Sequence, residues 1–202
     1  MSDSATLFSS TPTLEGPRVR LEGLAAAHEA DLAEAVAVGD LWQTWYTSIP
    51  SPDGMAAAIR QRLDWQGAGL MAPWAVVSQE SGKAVGMTTF CNLVPETRRL
   101  EIGYTWLGRG VQRTGVNAQA KLLLLTRAFD ELDCIAVEFR THWHNVQSRA
   151  AIARLGAKQD GVLRNHQIGR DGTLRDTVVF SITASEWPTV RLSLTERLAR
   201  RA

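Results

Sequence analysis

LGRGVQRTGVNAQA, residues Leu107–Ala120, is the stretch from which the rest of the chain can be read. The β-type run Leu100–Leu107 stops at Gly108, a glycine-containing turn follows, and an apolar helix over Ala118–Leu132, with Leu122–Leu125 inside it, begins at about Asn117. A helix start leaves backbone N–H groups unpaired and carries roughly half a positive charge. The amides of Gln112, Arg113, Thr114, Gly115, Val116, Asn117 and Ala118 are therefore placed to converge on a pyrophosphate, with Gly115 allowing close approach of the main chain. Arg113 and Arg109 add cationic reach. Taken alone, one glycine before a helix is weak evidence, and an ordinary strand-to-helix turn is the plainer reading.

Working outward, Trp74–Ser78, Ala84–Asn92 and Leu100–Leu107 read as sequential strands, the first two joined by the turn signal Glu80-Ser81-Gly82-Lys83. Short links make these an antiparallel meander. Downstream, Ile135–Thr141 alternates apolar and polar residues, and Ser148–Leu155 is helical, ending at Gly156. Val162–Ile168 and Thr177–Ile182 form strands joined by an Arg170-Asp171-Gly172 turn, and Ser185–Ala199 is a terminal helix with Pro188 in its first turn. Before the meander come a strand at Val19–Glu22, a helix over Ala27–Val38, an aromatic loop over Trp42–Pro52 and a helix capped by Asp53. Residues 1–16, Ser/Thr-rich and aperiodic, predict a loose arm; residues 17–202 predict a single domain. The order specifies an α/β (α+β) fold, a mixed and mostly antiparallel central sheet with helices on both faces.

The 202 residues carry a formal net charge of +1, which argues against a nucleic-acid binder. The basic tail Arg197, Arg200 and Arg201 reads as a solvated helix end. Cys91 and Cys134 lack any metal-ligand or CxxC spacing and predict reduced core residues. No leader-like segment and no apolar run long enough to span a bilayer is present, so a cytoplasmic protein is expected. No GxxxxGK[ST] occurs, which removes a P-loop nucleotide enzyme.

Gln112-Arg113-Thr114-Gly115-Val116-Asn117 resembles the acyl-CoA loop of the GNAT superfamily of N-acetyltransferases, Gln/Arg-x-x-Gly-x-Gly/Ala, with Asn117 at the usually small sixth position. Glu101-Ile102-Gly103-Tyr104, the block Asn145–Ile152, Leu155-Gly156-Ala157 and Gly161-Val162-Leu163-Arg164 are similar to the branch related to ribosomal-protein N-terminal acetyltransferases. The resemblance covers residues 18–183. It implies acetyl transfer from acetyl-CoA, with no metal, to a primary amine: a protein N-terminus, an amino acid or a small amine.

That reaction needs a neutral amine, a stabilised oxyanion and a protonated or hydrogen-bonded leaving thiolate. A lysine amine costs about 4.6 kcal/mol to deprotonate at neutral pH, an α-amine only about 1–1.4 kcal/mol. Glu101 is the candidate base, directly or through water, the alternatives being an outward-facing strand carboxylate or one paired with Arg98 or Arg99. The resemblance implies that Ser148 hydrogen-bonds the leaving sulfur, that Asn145 contacts the pantetheine arm, and that main-chain N–H groups near Trp106 and Leu107 hold the oxyanion. Asn145 also suits a helix cap. The resemblance implies that the region of Trp42, Trp45 and Tyr46 walls the acceptor groove; packing into the core is the alternative. His142 and His144 are too few for a metal site and read as polar residues at a strand end, with an acceptor-facing role for either as the remoter option. Leu192, Leu194 and Leu198 suit a homodimer contact as readily as their own core. A catalytically silent acyl-CoA-binding module is the competing reading.

Overall fold

A computed structural model describes residues 3–169 and 171–200. Eight strands form one sheet: β1 (Leu14–Glu15), β2 (Val19–Gly23), β3 (Ala72–Ser78), β4 (Ala84–Val94), β5 (Arg99–Leu107), β6 (Ala136–His142), β7 (Lys158–Ile168) and β8 (Leu174–Thr183). Their spatial order is β1-β2-β3-β4-β5-β6-β8-β7. Every neighbouring pair is antiparallel except β5–β6. That single parallel step follows from chain order, because a strand reached through a helical crossover returns in the same direction. This is the mixed, mostly antiparallel sheet that the sequence specifies.

The helices are α1 (Asp3–Ser9), α2 (Glu29–Ala37), α3 (Met55–Gly67), α4 (Val116–Thr126), α5 (Val146–Ala153) and α6 (Trp187–Ala199). On one face, Leu32 and Val36 of α2 with Met55 and Ile59 of α3 cover Ala75, Val77, Met87 and Trp106. On the other, Leu124 and Leu125 of α4 and Leu194 of α6 meet Leu21, Phe90, Val137 and Phe139. β3, covered on both sides, is buried along its whole length. Each fully buried Val, Leu, Ile, Phe or Met side chain among these contributes about 1.5–3 kcal/mol by leaving water.

Two irregularities shape the middle of the sheet. Met87 pairs with Trp106 while Thr89 pairs with Gly103, so Thr88 alone opposes both Tyr104 and Thr105. An extra residue on β5 is a bulge, and Tyr104 sits in it at φ 50°. On its other edge β5 pairs with β6 only from Arg99 to Glu101, whereas β6 continues along β8 to His142↔Thr177. From Ile102 onward β5 therefore turns a strand edge toward an open gap.

The expected loose arm is corrected. Asp3–Ser9 is helical and Leu14–Glu15 pairs with β2. Phe8 is 2% exposed in the main core. The Arg127 guanidinium donates to Leu7 O at 3.1 Å and Ser10 Oγ at 2.8 Å, and Trp74 Nε1 donates to Pro12 O at 3.0 Å. These anchors lie 62 to 120 residues away in sequence, beyond the reach of any local pattern. Residues 1 and 2, Arg170 of the expected turn and Arg201 of the basic tail lie outside the described residues. Helix α4 begins one residue earlier than Asn117 and runs into a π turn at Arg127–Glu131. In α6, Leu194 and Leu198 turn inward and Leu192 is exposed, which leaves one of the three leucines for a partner surface.

Candidate active site

The gap beside β5 widens into a cavity of about 1830 Å³. Its floor is the loop between β5 and α4. Gly115, at φ 97°, holds the left-handed conformation that a side chain resists, and no side chain caps the helix it precedes. The first-turn amides Val116–Ala118 consequently lack intrahelical acceptors and present the positive end of α4. Gln112 ties the loop down: its Nε2 donates to Leu107 O at 3.0 Å. A row of unpaired main-chain donors with Arg113 beside it is chemically suited to an anion such as a diphosphate.

Gln112, Arg113, Gly115, Asn117 and Ala118 border the cavity, as do Trp106, Leu107, Asn145, Ser148, Glu101 and Tyr46. Thr114 and Val116 do not. They border a smaller hollow of about 330 Å³ behind the loop, with Pro17 and Arg18. The Val116 side chain belongs to the core and Thr114 Oγ1 donates to Val111 O at 2.7 Å. Arg109 points away as well, packing over Gly39. Arg197, expected as part of a solvated end, borders the cavity and donates to Arg154 O.

Glu101 is 7% exposed. Burial pushes its carboxyl above the usual carboxylate range, against the opposing pulls of Asn92 and Arg140. Asn92 Nδ2 donates to Glu101 Oε2 at 2.7 Å, and Arg140 Nε stands 3.6 Å from the same oxygen. The alternative partners are engaged elsewhere: Arg98 pairs with Asp133 and Arg99 with Glu138. A buried carboxyl with an elevated pKa, open to a cavity, is suited to taking a proton near neutrality.

Asn145 caps α5, its Oδ1 accepting from Ser148 N at 2.9 Å. That bond fixes both residues in the first turn, facing the cavity. Of the three aromatic candidates only Tyr46 borders it; Trp42 and Trp45 do not, and Trp45 is 62% exposed. Trp45 instead meets the rings of Tyr46, His142 and His144 with centroids 5.2 to 5.6 Å apart, outside the cavity wall. His142 does border the cavity; it accepts from His144 N at Nδ1, and burial lowers its pKa. Among the described residues no group of three His, Cys, Asp or Glu side chains is placed to hold a metal. Both cysteines are free and buried.

Two cavity residues, Arg175 and Lys121, escape a reading by motif, and a third, Tyr104, lies in a motif that gave it no role of its own. Arg175 of β8 is half-buried and donates to Thr177 Oγ1 at 3.2 Å. Tyr104 rises from the bulge beneath the Arg62 guanidinium, 5.5 Å from the ring centre. Lys121, on the inner stripe of α4, is 4% exposed. A lysine in the run Ala120-Lys121-Leu122-Leu123 was the visible signal, since helical spacing puts it in line with Leu125.

Comparison with known proteins decides the lineage. The family description "Acetyltransferase (GNAT) domain" matches residues 18–158, well over half of the chain. The chain belongs to the GNAT acetyltransferase family. Among the relatives of this GNAT chain is a Bacillus subtilis (strain 168) protein named "Putative ribosomal N-acetyltransferase YdaF", 32% identical over 106 residues. That match covers 52% of the chain and spans 57% of the curated relative's length. A crystal structure of a GCN5-related N-acetyltransferase from Brucella melitensis superposes with a TM-score of 0.84 at 29% identity, covering 93% of this chain and 85% of that one. A "putative acetyltransferase" from T. thermophilus superposes with a TM-score of 0.82 at 31% identity, covering 94% of this chain and 98% of that one. GNAT enzymes use acetyl-CoA, and the uncapped start of α4 fits that co-substrate's diphosphate. Among the described residues no helix is long and apolar enough to cross a membrane.

Proposed function

We propose that this protein transfers an acetyl group from acetyl-CoA to a primary amine by direct attack within a ternary complex. One observation carries the reading. A single cavity is bordered by the uncapped start of α4, the unpaired edge of β5, the buried Glu101 carboxyl and the first turn of α5. The loop Gln112–Ala118 binds the diphosphate through main-chain amides with Arg113 alongside, and Asn145 offers its remaining amide N–H₂ to the pantetheine arm.

Bound acetyl-CoA supplies an activated thioester. Glu101 accepts a proton from the incoming amine, directly or through one water, as the amine nitrogen bonds to the carbonyl carbon. Main-chain N–H groups near Trp106 and Leu107, with Leu107 N–H on the side of β5 that faces away from β4, stabilise the charge developing on the carbonyl oxygen. Ser148 donates its hydroxyl hydrogen toward the sulfur as the C–S bond breaks. Tyr46, Tyr104, His142 and Arg175 wall the acceptor side. The resemblance to ribosomal-protein acetyltransferases makes a peptide α-amine the first acceptor class, with free amino acids and small amines next. An α-amine also asks least of Glu101.

Release of free CoA thiol, followed with a panel of N-terminal peptides, amino acids and amines, tests the reading. Turnover that disappears when the primary amine is blocked is expected. Acetyl-CoA binding with no turnover on any amine would instead support a silent acyl-CoA-binding module.

A further inference from the structure

Lys121 lies where an apolar residue would be expected. It is 4% exposed on α4, and among the described residues no carboxylate stands within ion-pairing distance of its amine. Its Nζ donates to Thr88 Oγ1 at 2.9 Å and to Thr105 Oγ1 at 2.7 Å, and the two hydroxyls are 2.8 Å apart. Enclosing an ammonium without a counter-ion is costly, and burial lowers the Lys121 pKa to about 7. The neighbouring inward positions Leu124 and Leu125 show that α4 accommodates aliphatic side chains there.

The hydrogen bookkeeping gives the lysine a direction. Thr88 is fully enclosed, so once its oxygen accepts from Lys121 its own hydrogen goes to Thr105 Oγ1. Thr105 then accepts twice, which occupies both lone pairs and leaves its hydrogen as the one function still to be used. Its only protein acceptor among the described residues is Gly103 O, at a long 3.4 Å. Thr105 is exposed, and both it and Lys121 border the cavity. It stands in the bulge beside Trp106, on the stretch of β5 that has no β6 partner.

Resting on the acetyl-transfer reading, we propose that Thr105 Oγ1–H is an additional donor to the thioester carbonyl oxygen and that Lys121 is the positioning residue that polarises it. A hydroxyl that accepts from an ammonium and a second hydroxyl is a stronger donor than a free one, because bonds in a chain reinforce one another. The lysine thus acts through Thr105 and, when its amine is protonated, adds positive charge behind the site where negative charge accumulates.

Isotope-edited infrared spectra of [1-¹³C]acetyl-CoA bound to the full chain without acceptor test this directly. The carbonyl band of the wild-type complex should fall below its solution position. It should return toward that position in Lys121→Met and Thr105→Val and stay low in Thr105→Ser. In the same two impaired variants kcat should drop tenfold or more with KM for acetyl-CoA within about twofold, and Thr105→Ser should keep most of the wild-type rate. A lowered band and a kcat that neither Lys121→Met nor Thr105→Val alters would overturn the inference while leaving acetyl transfer intact. Should Lys121→Met not fold, Thr105→Val decides alone. Failure of the wild-type chain to bind acetyl-CoA would instead overturn the underlying reading.

Discussion

On the proposed mechanism Glu101 and Ser148 divide the proton work, and their variants should separate accordingly. Ser148→Ala should lower kcat by about 10²-fold, with affinity for acetyl-CoA nearly unchanged in a direct titration. Equal loss of both would remove the serine from catalysis. Glu101→Gln should cost roughly 10²–10⁴ in kcat/KM. Burial raises the Glu101 pKa, so the acid limb of the wild-type pH–rate profile should rise above the ordinary carboxylate range and vanish in the glutamine variant. Lys121 adds a stability test. Its folded pKa of about 7 is below the ordinary lysine value of 10.5, so between these values the unfolded chain binds more protons and stability rises with pH. Lys121→Met, freed of the buried charge, should be more stable than wild type below pH 7. The gain should shrink from pH 7 toward pH 10, as denaturant unfolding at several pH values would show. The positions of Glu101 and Ser148 at the cavity were legible because motifs surround them. Lys121 was not, because its isolation from carboxylates and its bonds to Thr88 and Thr105 exist only once β4 and β5 are paired.

Among the elements, the β5–α4 junction was the most legible, since a strand end, a glycine and a helix start are all local signals. Gly115 tests it. A Cβ there would meet Arg18 at 3.4 Å, an ordinary contact, so Gly115→Ala should cost only the backbone strain of φ 97°, about 1–2 kcal/mol. Gly115→Trp should abolish acetyl-CoA binding measured by calorimetry; unchanged affinity would refute the loop's role. The bulge at Tyr104 and the parting of β5 from β6 were not legible, because both depend on register against strands elsewhere in the chain. Helix α1 was missed for the same reason: Arg127 and Trp74 hold its segment from afar. Phe8→Ala should therefore destabilise the protein by roughly 3–5 kcal/mol in denaturant titrations, far from the negligible effect a loose arm would give.

At the scale of the whole molecule, two helical layers grip a sheet whose middle is bent on one edge and parted on the other. The strand order followed from chain order and short connections, and Trp74, Phe90 and Phe139 lie in the core that the apolar pattern outlined. What no local pattern contains is the meeting of α4, α5, β5 and β8 around one cavity. That convergence carries the functional claim. A crystal structure of the protein with acetyl-CoA measures it most directly. The diphosphate should lie within hydrogen-bonding distance of the amides of Val116–Ala118, and the thioester should enter the gap beside Trp106, with Ser148 Oγ near the sulfur. Acetyl-CoA seated elsewhere, with the start of α4 bare of phosphate, would contradict the account.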